Sequence, residues 1–336
     1  MNQSNSVSTM TQSTATDTKA SRQVPHLSFQ SYTDGTTDEK QAFVNSLIAG
    51  LKDYGFIVLS DHPVYQTYVD EAYKLVHQFF ELPEATKLAY GGIEGGQRGY
   101  TPFGKEKAKD SKHPDLKEFW HVGRTLSAES PYQGVYPDNV WPEKEVPGFT
   151  QAFSKLYNLM DNTAQVLLDA IGEGLGLEQS FFRDMTHDGN SILRTIHYPP
   201  TDGLDTVQSI RAGAHEDINL ITLLVGATDS GLQLLDRDGS WLDVHSEPGE
   251  LVVDSGDMMA RLTGGVLPAT THRVINPDLS TSRRYSMPYF VHPHANALLS
   301  CLPSCREQGN PEPDITAGEF LTQRLIEIGL IPANKS

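Results

Sequence analysis

Between about residue 191 and residue 291 the chain is a succession of short β-type runs separated by turn residues, and that pattern restricts the fold more than any other feature. Ile192–Tyr198, His215–Val225, Gly231–Leu235, Trp241–Val244, Leu251–Val253, His272–Ile275 and Arg284–Val291 read as strands. Asp238-Gly239 suits a tight hairpin, and Pro248-Gly249 and Asn276-Pro277 mark further turns. Several short strands in succession predict a sandwich or a barrel-like double sheet.

The first half has a different period. Asp38, three residues ahead of Gln41, is a candidate helix start. Phe43, Leu47, Leu51 and Tyr54 then recur on one helical face until Gly55, and Phe56–Leu59 reads as a buried strand. Further helices are expected at about 64–80, 149–172 and 316–328. The stretch 91–148, rich in Gly, Pro and charge, predicts irregular structure with short strands near Gly99-Tyr100 and Phe119–His121. Residues 1–22 are Ser-, Thr- and Gln-rich and cannot bury enough apolar surface to offset the entropy of ordering. The expected layout is an α+β chain: a disordered tail 1–22, a helical and mixed region 23–175, a β-rich domain 176–300, and a C-terminal helical extension 301–336.

Within the β-rich half stand three candidate metal ligands. His215 and Asp217 are two residues apart, and His272 follows fifty-five positions later. Within the strand read at His215–Val225, His215 and Asp217 project from the same face, with Glu216 turned away. Two imidazoles and one carboxylate form a facial set that leaves about three positions of an octahedral iron(II) open. A His-x-Asp pair alone is a weak signal, since a surface pair or a locally satisfied histidine produces it too. The apolar run that follows (Ile218, Leu220, Ile221, Leu223) argues for burial, and a shared cation would partner buried groups of this kind. Arg284 and Ser286 are also spaced for one strand face. A guanidinium pairs with a carboxylate through two hydrogen bonds, and the serine adds a donor. Tyr198 ends another β-type run and could offer its hydroxyl to the same small acid.

Charge and cysteine content narrow the class. A net charge of −17 argues against nucleic acid and against an anionic membrane surface as partners. No apolar run approaches the roughly 20 residues needed to span a bilayer, and the N-terminus lacks the apolar core of a secretory signal. Cys301 and Cys305 are too few for a disulfide framework or a zinc site, and read as reduced thiols in a cytoplasmic protein. Nothing in the sequence sets an oligomeric state.

Taken in order, VPHLSF, LKDYGFIVLSDHPV, His-Glu-Asp followed by LITLL, GDMMARLTGG, THRVINP and RYSMPYF resemble the isopenicillin N synthase-like group of iron(II)- and 2-oxoglutarate-dependent oxygenases, from about Val24 to Val291. The resemblance implies a double-stranded β-helix, or jelly roll, with a helical N-terminal region packed against it. It implies Fe(2+) held by His215, Asp217 and His272, and 2-oxoglutarate as cosubstrate with its distal carboxylate at Arg284 and Ser286 and a further contact at Tyr198. Dioxygen is then the third reactant, and a small-molecule substrate is hydroxylated with release of succinate and CO2. No catalytic residue beyond the metal ligands is implied. Relatives build the substrate pocket from the segments that here read Arg98-Gly99-Tyr100 and Lys117-Glu118-Phe119-Trp120. This makes Tyr100, Phe103, Trp120 and Arg98 candidate substrate contacts, with Phe290 and His292 continuing the Arg284 strand toward the pocket. The chain departs from the pattern at Ile196-His197-Tyr198-Pro199, where plant relatives often carry Asn-Tyr-Tyr-Pro, and at Gly264-Gly265 in place of the common Asn-Gly.

Two other readings stay open at this level. An oxidase like isopenicillin N synthase would use no 2-oxoglutarate and would bind a substrate carboxylate at Arg284 and Ser286; LIPANKS at the C-terminus lacks the glutamine expected of that enzyme. A non-catalytic β-scaffold would bind a ligand or a protein without chemistry, and without tight iron binding.

Overall fold

Two β-sheets face each other, and helices cover the outer face of the larger one. The computed structural model describes residues 22–93, 96–105, 117–199, 212–225, 231–275 and 284–332. The expected tail lies outside these residues except for Arg22, as does the Asn276-Pro277 turn. The first half runs β1 (His26–Ser28), α1 (Phe29–Thr33), α2 (Thr37–Tyr54), β2 (Phe56–Ser60), α3 (Gln66–Phe80), α4 (Glu84–Leu88), β3 (Gly99–Thr101), β4 (Glu118–Gly123), α5 (Phe149–Gly174) and α6 (Phe181–Thr186). The second runs β5 (Ile192–Tyr198), β6 (Ala212–His215), β7 (Ile221–Val225), β8 (Leu232–Leu235), β9 (Trp241–Asp243), β10 (Leu251–Ser255), α7 (Asp257–Leu262), β11 (His272–Val274) and β12 (Arg284–Val291). A small ribbon, β13 (Leu298–Leu299) with β14 (Ile315–Thr316), leads into α8 (Ala317–Glu327).

The larger sheet has eight strands in the order β1-β2-β10-β7-β12-β5-β4-β3, and the smaller has four in the order β6-β11-β8-β9. The central strands come from the second half, while β1 to β4 extend the large sheet at both edges. The helical region is therefore joined to the β-rich part by backbone hydrogen bonds as well as by packing.

Side-chain alternation sorts the large sheet into two environments. In β2, Ile57 and Leu59 join the helix-side core, whereas Phe56 and Val58 pack inside the sandwich with Leu234, Val244 and Val252. In β12, Tyr285, Met287, Tyr289 and Val291 face the helices, which leaves Arg284, Ser286, Pro288 and Phe290 for the interior of the sandwich. Helix α5 carries Phe149, Phe153, Leu156, Met160, Leu167 and Ile171 along one buried stripe, each contributing roughly 1.5–3 kcal/mol by leaving water. Its first turn is capped from outside, because the Glu143 carboxylate accepts from the N–H groups of Gly148 (2.6 Å) and Thr150 (3.0 Å). Polar bonds tie this helix to the sheet. The Tyr289 hydroxyl donates to Asp161 at 2.7 Å, and Arg124 pairs with the same carboxylate at 2.8 and 3.0 Å.

Two expectations need correction. Helix α2 starts from Thr36, whose hydroxyl accepts from Glu39 N while the Glu39 carboxylate accepts from Thr36 N at 2.7 Å; Asp38 belongs to the acidic first turn. The run His215–Val225 is not one strand. It breaks after His215, and β6 and β7 belong to different sheets. The break is held by Asn219, whose side-chain amide donates to the Ile221 carbonyl at 2.7 Å, so local bonds replace ladder bonds.

Gly55 joins the fold to the metal region. It ends α2 with φ +70, and a Cβ there would stand 2.1 Å from Thr270 Oγ1 and 2.8 Å from Thr270 Cβ. Its carbonyl accepts from Ser255 N at 3.0 Å. Gly55→Ala is expected to destabilise the protein by about 2 kcal/mol or more, combining left-handed strain with overpacking. Urea unfolding checks this; an unchanged midpoint would show that the Thr270 segment moves aside freely.

Candidate metal centre

The break between β6 and β7 is what brings the ligands together. His215 ends β6, Asp217 lies in the turn that follows, and His272 begins β11, directly opposite His215 in the ladder. Ligand atoms of the three side chains lie within 4.8 Å of one another. Asp217 Oδ1 stands 3.7 Å from His215 Nε2 and 3.9 Å from His272 Nε2.

Each ligand is aimed by a bond at its far side. His215 Nδ1 donates to the Gly213 carbonyl at 2.7 Å, and His272 Nδ1 donates to Thr270 O at 3.1 Å. Both rings thus present Nε2, with its lone pair, to the common point. Asp217 Oδ2 accepts from the Thr222 hydroxyl, which itself accepts from Asn219 Nδ2 at 3.1 Å, and Oδ1 is left for the centre. Burial, then the neighbouring His272, pushes the His215 imidazole down to about 4, so it stays in the neutral form that binds a metal.

The start of α7 secures the turn from behind. Asp257 N donates to Asp217 O at 2.7 Å, Met258 N to Ile218 O at 3.2 Å, and Gly256 N to Leu220 O at 3.0 Å. N–H groups at a helix start have no partner within the helix, and here they hold the metal turn. A Cβ at Gly256 would sit 2.4 Å from Asn219 O and 2.7 Å from Asp217 O, so only glycine admits this approach. This is the physical role of the Gly-Asp-Met-Met segment.

The triad opens into a cavity of about 470 Å³ between the two sheets. Ile192, Ile196, Leu224, Val274, Pro288 and Phe290 supply apolar wall, and Tyr198 and Ser286 line one end. Arg284 pairs with Tyr198 across the β5–β12 ladder, its guanidinium carbon 5.5 Å from that ring's centre. It is 1% exposed, and its Nε and Nη1 have no hydrogen-bond partner among the described residues. Arg284 is not itself among the residues that line the cavity, but it stands beside Tyr198 and Ser286, which are. A buried cation with unsatisfied donors next to that wall suits a carboxylate partner. The donor set and this guanidinium together suit iron(II) and a chelating dicarboxylic keto acid.

The other expected contacts fall elsewhere. Trp120 and Tyr100 lie on the helix side of the sheet, in the aromatic cluster around Phe79, with ring centres 4.6 and 5.7 Å away. The Tyr100 hydroxyl donates to Glu118 Oε2 at 2.5 Å. Arg98 is fully buried against Gly123 and binds Asn190 Oδ1 (3.0 Å) and Gln97 O (2.7 Å). Phe103 is 40% exposed, its ring 6.3 Å from that of His197. None of the four lines the cavity. Gln97, Lys117, His121 and Arg194 do, together with Phe290 and His292. Period-2 alternation in β4 was the signal available for this: if Trp120 faces one way, His121 faces the other.

Three further features had no local signature. Asp254 reaches the cavity from β10, its carboxyl pushed well up by burial and by Asp217. Leu321, Leu325 and Ile328 line the cavity from α8 and the residue after it. Arg324 of the same helix bonds Asp257 at 3.1 Å and so ties α8 to the metal turn.

Residues 189–293 match the family model described as the 2OG-Fe(II) oxygenase superfamily, and residues 24–144 match the one described as the N-terminal region of non-haem dioxygenases in morphine synthesis. A 2-oxoglutarate-dependent dioxygenase of Aspergillus rugulosus is 31% identical over 318 residues, covering 88% of this chain and 94% of its own. The chain belongs to the isopenicillin N synthase-like family of 2-oxoglutarate- and iron(II)-dependent oxygenases. Among solved structures, a protein of Caulobacter crescentus assigned to the 2OG-Fe(II) oxygenase family is 46% identical and superposes with a TM-score of 0.81, covering 90% of this chain and 98% of that one. A full-length Neurospora crassa protein in complex with alpha-KG and thymine is 26% identical with a TM-score of 0.79, covering 90% and 96%. The fold is therefore the jelly roll of this family, and the cofactors of this oxygenase are Fe(II), 2-oxoglutarate and O2. No described helix is long and apolar enough to cross a membrane.

Thr222→Val keeps the shape of a 2% exposed side chain and removes the hydroxyl that holds Asp217 Oδ2. Iron(II) affinity is expected to fall by about 10- to 100-fold, as anaerobic metal titration would measure. Unaltered affinity would mean that the turn backbone alone aims the carboxylate.

Proposed function

We propose that His215, Asp217 and His272 hold the iron of this oxygenase, that Arg284, with Ser286 and Tyr198, binds the distal carboxylate of 2-oxoglutarate, and that the reaction is hydroxylation of a small molecule. The observation that carries this assignment is the buried Arg284 guanidinium, which lacks partners on Nε and Nη1 among the described residues, beside the Tyr198 end of the cavity holding the triad. The thymine complex of the Neurospora crassa protein supports a compact organic substrate. Two free, buried cysteines, Cys301 and Cys305, support a reducing compartment such as the cytoplasm.

Bound iron(II) and 2-oxoglutarate supply the oxygen activation: one atom of O2 enters succinate, the other enters the hydroxylated product, and CO2 leaves. This chain's residues bind and orient. His215, His272 and Asp217 would hold the iron through two imidazole nitrogens and a single carboxylate oxygen, a donor set that suits iron(II). Arg284 would pair with the cosubstrate's distal carboxylate and so limit the orientations in which the cosubstrate binds. The apolar wall limits the water that could intercept the oxidant before the substrate does.

Two variants separate the roles. His215→Ala is expected to abolish stoichiometric iron binding and succinate release. Arg284→Gln is expected to keep iron but to weaken 2-oxoglutarate by about 30-fold or more, the consequence of removing one side of a buried charge pair. Both are read by anaerobic titration of the iron–2-oxoglutarate absorbance band. Cosubstrate affinity unaltered in Arg284→Gln would overturn the assignment of the anchor. Substrate oxidation without succinate would point to an oxidase.

A further inference from the structure

Arg284 begins β12; one residue past the other end of that strand, His292 lines the same cavity. It is 7% exposed. Its backbone is tied to the approach to β5, because His292 N donates to Ser191 Oγ at 3.1 Å and Asn190 N donates to Pro293 O at 3.3 Å. Its ring is oriented as well. Nδ1 lies 3.3 Å from the Phe290 carbonyl, and a carbonyl only accepts, so the proton sits on Nδ1. Burial pushes the imidazole down to about 4, which leaves the ring neutral at physiological pH. Nε2 is then a lone pair without a hydrogen-bond partner among the described residues, on a side chain that faces the cavity.

The neighbouring imidazole shows the contrast. His121 also lines the cavity, but both its nitrogens are used: Nδ1 donates to the Gly96 carbonyl at 2.6 Å, and Nε2 accepts from Arg194 Nε at 2.5 Å. A buried acceptor left without a donor is costly, and an incoming group that supplies one relieves that cost. The surroundings decide which donor suits. Arg98 and Arg194 both stand near enough to lower the proton affinity of His292 further, and positive charge on that side disfavours an ammonium group. Asp217 acts in the opposite sense, so His292 is also within electrostatic reach of the triad. A metal cation at the triad would offset that carboxylate charge. What remains is an uncharged donor. With iron at the triad and 2-oxoglutarate at Arg284, the reading on which a role for His292 rests, the molecule that brings this donor is the substrate.

We propose that His292 is a specificity-determining residue of this oxygenase, accepting through Nε2 a hydrogen bond from a neutral N–H or O–H group of a small-molecule substrate. The shared chemistry is one uncharged donor, supplied either by an amide-type nitrogen or by a hydroxyl.

The test uses the full chain loaded anaerobically with iron(II) and 2-oxoglutarate, and two pairs of probes in which a methyl group removes the donor: phthalimide with N-methylphthalimide, and phenol with anisole. Binding is read by calorimetry and by a shift of the iron–2-oxoglutarate band. Wild-type protein is expected to prefer the donor-bearing member of at least one pair by about 10-fold or more. A preference within the phthalimide pair assigns a nitrogen donor, and one within the phenol pair a hydroxyl. His292→Leu and His292→Phe, each checked for folding by circular dichroism, are expected to reduce that preference to about twofold or less, because neither side chain accepts a hydrogen bond. Iron and 2-oxoglutarate affinities are expected to stay close to wild type in both, and either variant suffices if the other does not fold. No preference in wild-type protein, including no binding of any probe, overturns the proposal, as does a preference that persists in the folded variants. Loss of iron affinity in those variants would place His292 at the metal and overturn it too. Absence of the iron–2-oxoglutarate band in wild-type protein would instead refute the cofactor-site reading beneath it.

Discussion

Two imidazoles and a carboxylate, with ligand atoms within 4.8 Å of one another inside a sandwich of two sheets, are costly to assemble unless every remaining polar atom has a partner. Here each has one. The two Nδ1 atoms donate to backbone carbonyls, and the second carboxylate oxygen accepts from Thr222. What is left over, two nitrogen lone pairs and one carboxylate oxygen, points to a single place. The rest of the architecture serves that arrangement: the break after His215 that puts β6 and β7 in different sheets, the α7 N-terminus behind the turn, and the close approach at Gly256.

The second organising constraint is the two-residue period of the large sheet. On β4, Trp120 enters the helix-side aromatic core, and Phe119 and His121 face the opposite way, toward Arg194. On β5, Leu193 packs against the helices, while Ile192, Arg194, Ile196 and Tyr198 line the cavity. On β12, Tyr285, Met287 and Tyr289 anchor to the helical layer, so Arg284, Ser286, Pro288 and Phe290 must turn inward. Apolar burial on one face thereby determines which polar groups reach the chemistry on the other. The helical layer contributes to the site indirectly, by holding those strands in register and in the correct rotation.

The same period explains which site residues were legible. His215, Asp217 and His272 stood out because the His-x-Asp pair is followed by an apolar run that argues for burial, and Arg284 and Ser286 because an i, i+2 pair of donors shares a face. A shared strand was expected to bring His215 and Asp217 together; they do meet, but through the turn that holds Asp217. Trp120 and Tyr100 were candidates because they lie in segments from which relatives build the substrate pocket, but in this chain they fill the helix-side core. His121 and Arg194 carried no comparable mark in the chain. Their meaning depends on being opposite one another across a ladder, seventy-three positions apart in sequence.

From the sequence alone came the short-strand pattern, the candidate ligand set, the proposed arginine anchor and the α+β layout, because each rests on local periodicity or on residue chemistry. The tertiary structure decided which side of each strand is inside, and it placed Asp254, Thr222, Arg194 and the α8 residues around one cavity. It also left Arg284 buried, with donors unsatisfied among the described residues. Those outcomes depend on strand pairing between distant segments, where a shift of one residue exchanges the two faces, and no local stretch of sequence encodes that choice.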